Sequence, residues 1–292
     1  MSRKAPKIQL NNFNELFGIT EGEADVVEVK LSDLHTFKNH PFLVKDDEKM
    51  AELIESIRVN GVLVPGIVRP RKAGGYEIIA GHRRKRASEI AGRMTMPVIV
   101  RDLPDAEAVI AMVDSNFQRE NILPSEKARS YKMKYNAMKH QGKNRGEGRS
   151  IDAIGEAAGE SGKTIQRYMH LADLVDELLQ MLDDKKLGLA QGYEISFIRP
   201  KTQRMIADVI ISKEASVSGA QAAKLKEYAE RDELTEAMVE LILSEEQPKP
   251  KRMVLKPARI EKIFQKFSFT QDELEEKIYQ VLEEWASQQR ED

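Results

Sequence analysis

"IIAGHRRKRASEIAG", residues 78–92, sets a glycine and then four cationic side chains, Arg83, Arg84, Lys85 and Arg86, directly behind a short apolar run. Tyr76–Ala80, with two adjacent β-branched residues, predicts a strand, and Arg83–Ala91 predicts a helix closed by Gly92. Strand, glycine turn and helix together form the arrangement in which backbone N–H groups converge on an anion. Cations at a helix N-terminus oppose the macrodipole and repel one another, so a bound polyanion would offset that cost. The competing reading is a basic, solvated surface turn.

Working outward from this turn, "DDEKMAELIESIRVNG" (46–61) sets Met50, Leu53, Ile54 and Ile57 on one helical stripe. Asp46 or Asp47 is its cap, and Asn60 and Gly61 are its stop. "VLVPGIVR" (62–69), "YEIIA" (76–80) and "MPVIVRDL" (96–103) are three strand candidates, with the basic helix between the last two. Ordered sequence is expected from Val26, after a polar arm over residues 1–22. From Asp105 onward almost nothing reads as strand: "DAEAVIAMVDSNF" and "PSEKARSYKMKYNAMKH" are helical by period, and further helices run to about Ser244. "QGKNRGEGRS" (141–150) reads as a basic, glycine-rich loop. The fold expected is therefore α+β and multidomain: a small α/β domain over 23–120 and an all-helical domain over 121–243.

A proline- and lysine-containing linker (244–256) and a short C-terminal helical segment (257–292) follow. In that segment Thr270 and Glu273 match a capping box, and Phe269 and Leu274 a hydrophobic staple. Leu274, Ile278, Val281 and Trp285 form a stripe too short to fold alone. It packs back on the body or dimerises, and its detachment favours a homodimer.

The 292 residues include no cysteine, which removes disulfides, thiolate metal sites and thiol nucleophiles together. Five histidines lie scattered without zinc-ligand spacing, which argues against a zinc hydrolase. No run reaches bilayer-spanning length and the first residues lack a signal-peptide core, so a cytoplasmic location is expected. The net charge of −2 hides an asymmetry: residues 127–149 carry +7, whereas the stretch after Glu227 is acidic. One face is thus suited to a polyanion.

Directly after the basic stretch, "IDAIGEAAGESGKTIQRYMHLADL" (151–174) fits a helix-turn-helix, taken as residues 150–171. With Gly159 at the turn, Ile154, Ala158, Ile165 and Tyr168 face inward, Gly155 is the small residue at the helix crossing, and Ser161 caps the second helix. Lys163, Thr164, Gln166, Arg167 and His170 are left pointing outward. Lys or Arg reads guanine and Gln reads adenine in a major groove. Ser161, with Lys132, Lys134, Lys139 and Lys143, is placed to meet phosphates. The alternative is an ordinary helical hairpin with a polar face.

Three stretches together resemble the ParB/RepB partition-protein family. "GVLVPGIVR" (61–69) resembles the box GVIQPILVR, and "GHRRKRA" (81–87) resembles GERRxRA. "SNFQRENILPSEKA" (115–128) resembles ENIQRExLxPxEEA, with Asn116, Gln118, Arg119, Glu120, Pro124, Glu126 and Ala128 in place. The resemblance covers roughly residues 26–175. It implies a ParB- and sulfiredoxin-like N-terminal domain that binds CTP with magnesium, through Gly61 of the first box, Gly81, Arg83, Arg84, Asn116 and Arg119. It further implies a middle domain that recognises a palindromic, centromere-like site on double-stranded DNA, and dimerisation through the C-terminal segment. Nucleotide binding would close the dimer into a sliding clamp associated with nucleoid or plasmid. The N-terminal arm, through Arg3, Lys4 and Lys7, would stimulate a ParA-type ATPase.

Departures from the family pattern temper these expectations. His82 and Ser115 stand where the family has glutamates associated with the metal or with hydrolysis, so nucleotide binding is expected with slow or no turnover, a weak CTPase at most. Val64 and Gly66 replace a glutamine and an apolar residue in the first box. A transcriptional regulator or silencer of a mobile element on the same scaffold is the alternative function. Sulfiredoxin chemistry would need a cysteine, and a nuclease would need an acid or histidine cluster that the boxes do not supply.

Overall fold

The structure is a computed structural model that describes residues 25–117, 119, 121–140, 147–244, 273, 276, 277 and 279–281. The chain divides into two compact units, residues 1–245 and 246–292. In the second unit, Glu273, Glu276, Lys277, Tyr279, Gln280 and Val281 are helical and exposed. The arm, the linker, and the Thr270, Phe269, Leu274, Ile278 and Trp285 positions of the expected C-terminal stripe lie outside the described residues.

The first unit opens with strands β1 (Val26–Lys30) and β2 (Leu34–His35), followed by helix α1 (Glu48–Asn60) and strands β3 (Gly66–Pro70) and β4 (Tyr76–Ala80). Helix α2 (His82–Ile90), strand β5 (Thr95–Val100) and helix α3 (Asp105–Asn116) complete the α/β part. The sheet order is β1-β5-β3-β4-β2: β3 and β4 form an antiparallel pair, β3 runs parallel to β5, and β1 and β2 take the edges. Neither edge strand is among the sequence-predicted ones. β2 has two residues, and β1 alternates charge with valines of which Val26 and Val27 stay exposed, so neither carries the apolar run of a central strand.

β4 reads "EIIA" because both faces of the sheet are covered. Ile78 packs with Val29, Leu34, Val68, Met96 and Val98, while Ile79 packs on the other face with Ile67 and with Ala108, Met112 and Val113 of α3. The Arg69 of the first box spans this layer: its guanidinium pairs with the buried Glu77 opposite it in the register, and also reaches the Leu103 carbonyl and Asp105. Lys38 N–H donates to the second oxygen of Glu77. The first box thus contributes a structural crosslink.

Among the described residues of this unit eight helices follow: α4 (Pro124–His140), α5 (Glu147–Ala158), α6 (Gly162–Leu171), α7 (Asp176–Asp183), α8 (Leu189–Ile195), α9 (Pro200–Lys213), α10 (Gly219–Glu230) and α11 (Glu236–Ser244). The loop expected over 141–150 is corrected in its last four residues, which are the first turn of α5. The segment "EGRSIDAI" supplies that turn with Ile151 and Ile154, both buried against Tyr131 and Tyr135 of α4. No described helix is long and apolar enough to cross a membrane.

Candidate functional site

The turn after β4 opens onto a cavity of about 220 Å³. Gly81, His82, Arg83 and Arg84 line it from the start of α2, Ser115, Asn116 and Arg119 from the end of α3 and just beyond, and His40, Leu43 and Val44 from the segment before α1. Gly81 is the N-cap of α2 with φ 117° and ψ 16°, a left-handed conformation in which a β-carbon is unfavourable. The next backbone N–H groups are the unpaired donors of a helix start. The sequence-expected arrangement of glycine, helix N-terminus and arginines is therefore present, and the turn brings Asn116 and Arg119 to the same cavity.

The cation repulsion is relieved within the chain. Arg83 pairs with Asp47 at 2.8 Å, Arg86 with Asp46 at 2.9 Å, and Lys85 with Glu89 one turn on. Asp47 also caps α1 by accepting from Met50 N–H, so one carboxylate serves two helix starts. Arg84 is half-buried, desolvation lowers its pKa, and it donates to the carbonyls of Val64 and Pro65, each at 2.6 Å. Gly61 ends α1 with φ 70° and does not line the cavity. The first box meets the edge of this cavity through the Val64 and Pro65 carbonyls that hold Arg84.

Two histidines, which sequence reasoning did not place together, stack at the cavity with ring centroids 3.9 Å apart. Burial drives both pKa values down from 6.5, to about 4 for His40 and about 3 for His82. For His40 the Phe42 carbonyl opposes this and the Arg119 charge adds to it; for His82 the neighbouring His40, Lys85 and Arg84 add to it. Both rings are neutral at neutral pH.

The segment carrying His40 is tied to the helical part by one carboxylate. Glu126, 3% exposed, accepts Leu43 N–H at 2.7 Å on one oxygen and Leu123 N–H at the start of α4 at 3.0 Å on the other. Asp183 of α7 accepts from Ser125 N and Oγ at the same helix start. Glu126→Gln keeps one acceptor but turns an NH2 group toward a buried N–H. It is expected to cost about 1–3 kcal/mol in urea unfolding, the cost of an unsatisfied buried donor.

The helix-turn-helix forms where the sequence places it. Gly159 ends α5 in the left-handed region, Glu160 N–H donates to the Gly155 carbonyl at 2.9 Å, and Ser161 Oγ accepts from Thr164 N–H as the cap of α6. Ile154 and Ile165 are buried to 1% and 0% exposure at the crossing. Burying such a side chain is worth about 1.5–3 kcal/mol. Lys163, Gln166 and Arg167 are exposed on α6, and Thr164 is half-buried with its hydroxyl on Ser161.

His170 departs from the expected outward face: it packs on Phe197 and on Tyr193 of α8, with ring centroids at 4.7 and 5.5 Å. Its ring is half-buried by these contacts and does not stand fully outward. Lys134 is likewise buried against Asp114 of α3, where it neutralises that carboxylate instead of meeting a phosphate. Lys132 is half-exposed and pairs with Asp173, while Lys139 is exposed. Lys143, Gln118, Glu120 and the arm residues Arg3, Lys4 and Lys7 lie outside the described residues.

The ParB N-terminal domain family model matches residues 19–117. The probable chromosome 1-partitioning protein ParB of Deinococcus radiodurans is 34% identical over 208 residues, which are 71% of this chain and 68% of that protein. This chain belongs to the ParB family. Stage 0 sporulation protein J of Bacillus subtilis is 32% identical over 202 residues, 67% of this chain and 68% of the relative. Among solved structures, the C-terminally truncated chromosome-partitioning protein ParB from Caulobacter crescentus complexed to the centromeric parS site is 26% identical. It covers 70% of this chain and 100% of its own, with a TM-score of 0.41.

The magnesium implied by ParB resemblance does not find its usual donors here. The described cavity lining contains no carboxylate, and no group of three or more His, Cys, Asp or Glu among the described residues is placed to hold a metal. Asp47, Asp114 and Glu126 are committed to Arg83, Lys134 and two backbone N–H groups. Magnesium favours oxygen donors, carboxylates above all, and His40 and His82 offer nitrogen. Among the described residues the donor set does not fit a magnesium ion held by protein carboxylates.

Proposed function

We infer that this ParB-family chain is a DNA-binding partition protein whose N-terminal part binds CTP or a related nucleotide. The observation that carries this reading is the joining, in one compact unit, of the glycine-turn cavity and a helix-turn-helix whose second helix exposes Lys163, Gln166 and Arg167. Triphosphate oxygens would meet the α2 backbone N–H groups, Arg83, Asn116 and Arg119. Arg83 exchanges an Asp47 oxygen for phosphate, whereas Arg84, held by two carbonyls, shapes the turn. Any magnesium arrives as the nucleotide's own complex, carried by its phosphates. The described lining offers no carboxylate to orient a water for attack, so turnover is slow or absent and nucleotide exchange resets the protein.

The chromosome-partitioning relative supports a role in partition; on this reading the protein loads on a centromere-like palindrome and acts as a nucleotide-gated clamp on nucleoid or plasmid DNA. The same reading divides the chain into an arm (1–22), a nucleotide-binding domain (23–120), a DNA-binding domain (121–243), a linker (244–256) and a dimerising segment (257–292). It gives the arm, through Arg3, Lys4 and Lys7, to a ParA-type ATPase.

Arg167→Ala is the direct test of the reader helix. It is expected to cost about 1–3 kcal/mol on the specific site and little on random DNA, because a bidentate base contact carries sequence discrimination. Fluorescence anisotropy on both DNAs measures it, and equal losses on the two refute the assignment. Crosslinking in the host should recover one peak with broad flanks, while several sharp promoter peaks would make the protein a regulator instead.

A further inference from the structure

Among the side chains that line the donor-rich cavity, His40 carries a buried acceptor without a partner. His40 Nδ1 lies 2.8 Å from the Phe42 carbonyl, so Nδ1 carries the proton and Nε2 the lone pair. Nε2 is buried and has no hydrogen-bond partner. His82, stacked on it, already accepts Phe37 N–H on its own Nε2 at 3.4 Å. A lone pair facing a phosphate oxygen repels it unless a proton lies between the two, and a buried acceptor without a partner is costly to maintain.

The geometry points to His40 as a phosphate ligand that takes a proton from solvent when a nucleotide polyphosphate enters, so that Nε2–H supplies locally the positive charge that a protein-held divalent cation would bring. This rests on the nucleotide-binding reading and specifies how that site handles charge.

The surrounding charges decide when the proton arrives. In the empty cavity His40 is kept neutral by burial and by Arg119, while His82, the other ring of the stack, is kept neutral by burial and by His40, Lys85 and Arg84. Asp46 and Asp47 are occupied by Arg86 and Arg83, and Glu126 by backbone N–H groups, so no described carboxylate favours the imidazolium. The Phe42 carbonyl holds Nδ1–H in either state. One opposite charge within ~4–6 Å raises a histidine's pKa by roughly 1–3 units, and a triphosphate brings several. The lowered starting value of about 4 means that Nε2 is unprotonated before binding, so a proton that it carries in the complex is taken from solvent.

Titration calorimetry of the full chain with CTP tests this, in EDTA, from pH 7.0 to 8.5, in two buffers of different ionisation enthalpy. A phosphate's last proton is lost near pH ~6, so the slope above pH 7 reports the protein. Binding without magnesium is expected, with up to about one proton taken up per nucleotide and affinity falling by up to about tenfold per pH unit. His40→Gln carries a donor that does not titrate, and is expected to bind with a flat profile. Buffer-independent heats with pH-independent affinity in the unaltered protein would overturn the proposal, and so would a slope that persists in His40→Gln or a strict requirement for magnesium. The buffer comparison needs no variant and stands if His40→Gln fails to fold. Failure of CTP and other nucleoside triphosphates to bind at every pH, with and without magnesium, would instead remove the nucleotide reading and this proposal with it.

Discussion

Gly81→Val is expected to lower nucleotide affinity at least about 100-fold, equivalent to about 2.7 kcal/mol. At φ 117° and ψ 16° a β-branched residue is a steric outlier, and holding one there costs about 1–3 kcal/mol before any contact is counted. The contacts add to it. A β-carbon at Gly81 would lie 3.3 Å from the Gly66 Cα of β3 and 3.2 Å from Arg84 Nη2. The first neighbour is backbone of a central strand and cannot yield. Arg84 is pinned by two carbonyls, so moving it unpicks the turn that aims the α2 N–H groups. Calorimetry with CTP reads the loss, and circular dichroism with binding to random DNA shows that the rest of the chain is intact. Affinity within tenfold of the unaltered protein would mean that the anion sits elsewhere.

Gly155→Val is expected to remove specific DNA binding while leaving the nucleotide cavity in place. A β-carbon at 155 would lie 2.6 Å from the Glu160 carbonyl oxygen, a backbone atom, and 3.5 Å from both Gly162 N and Ile165 Cγ1. Relief requires α6 to move off α5, which breaks the Glu160-to-Gly155 hydrogen bond and uncovers Ile154 and Ile165. Overpacking of this kind costs about 1–3 kcal/mol and occasionally more; a backbone neighbour places this case at the upper end. The larger effect is geometric, because a tilted α6 no longer presents Lys163, Gln166 and Arg167 in register with base edges. Specific affinity should fall to the level of random DNA, with CTP binding unchanged. Retained discrimination between the two DNAs would show that α6 is not the reader.

These two glycines mark how much was readable in advance. Gly155 and Gly159 were legible because small residues and turn glycines at fixed offsets from Ile154 and Ile165 are constraints among neighbours, and α6 begins at the expected serine cap. The strand over Tyr76–Ala80 and the basic helix after Gly81 were legible for the same reason. The edge strands were missed, because β1 and β2 owe their conformation to pairing with β5 and β4, not to any apolar run of their own. Lys134 and His170 looked like solvent-facing members of a basic surface, yet each meets a partner from another helix, Asp114 at 20 residues' separation for the lysine and the Tyr193 and Phe197 rings for the histidine.

The amino-acid sequence by itself determined the local units: a glycine turn between strand and helix, a serine-capped helix after a second glycine turn, and a split between an α/β part and a helical part. Periodicity, caps and turns act over a few residues, and their free energies are set by neighbours along the chain. Tertiary structure alone decided the electrostatics of the cavity. Asp47 returns to Arg83 across 36 residues and Asp46 to Arg86 across 40, which relieves the basic turn without a ligand. His40 reaches His82 from the far side of α1, where burial keeps both rings neutral. Such pairings depend on where the folded chain returns to itself, and charge and burial act through space, so spacing along the sequence carries no trace of them.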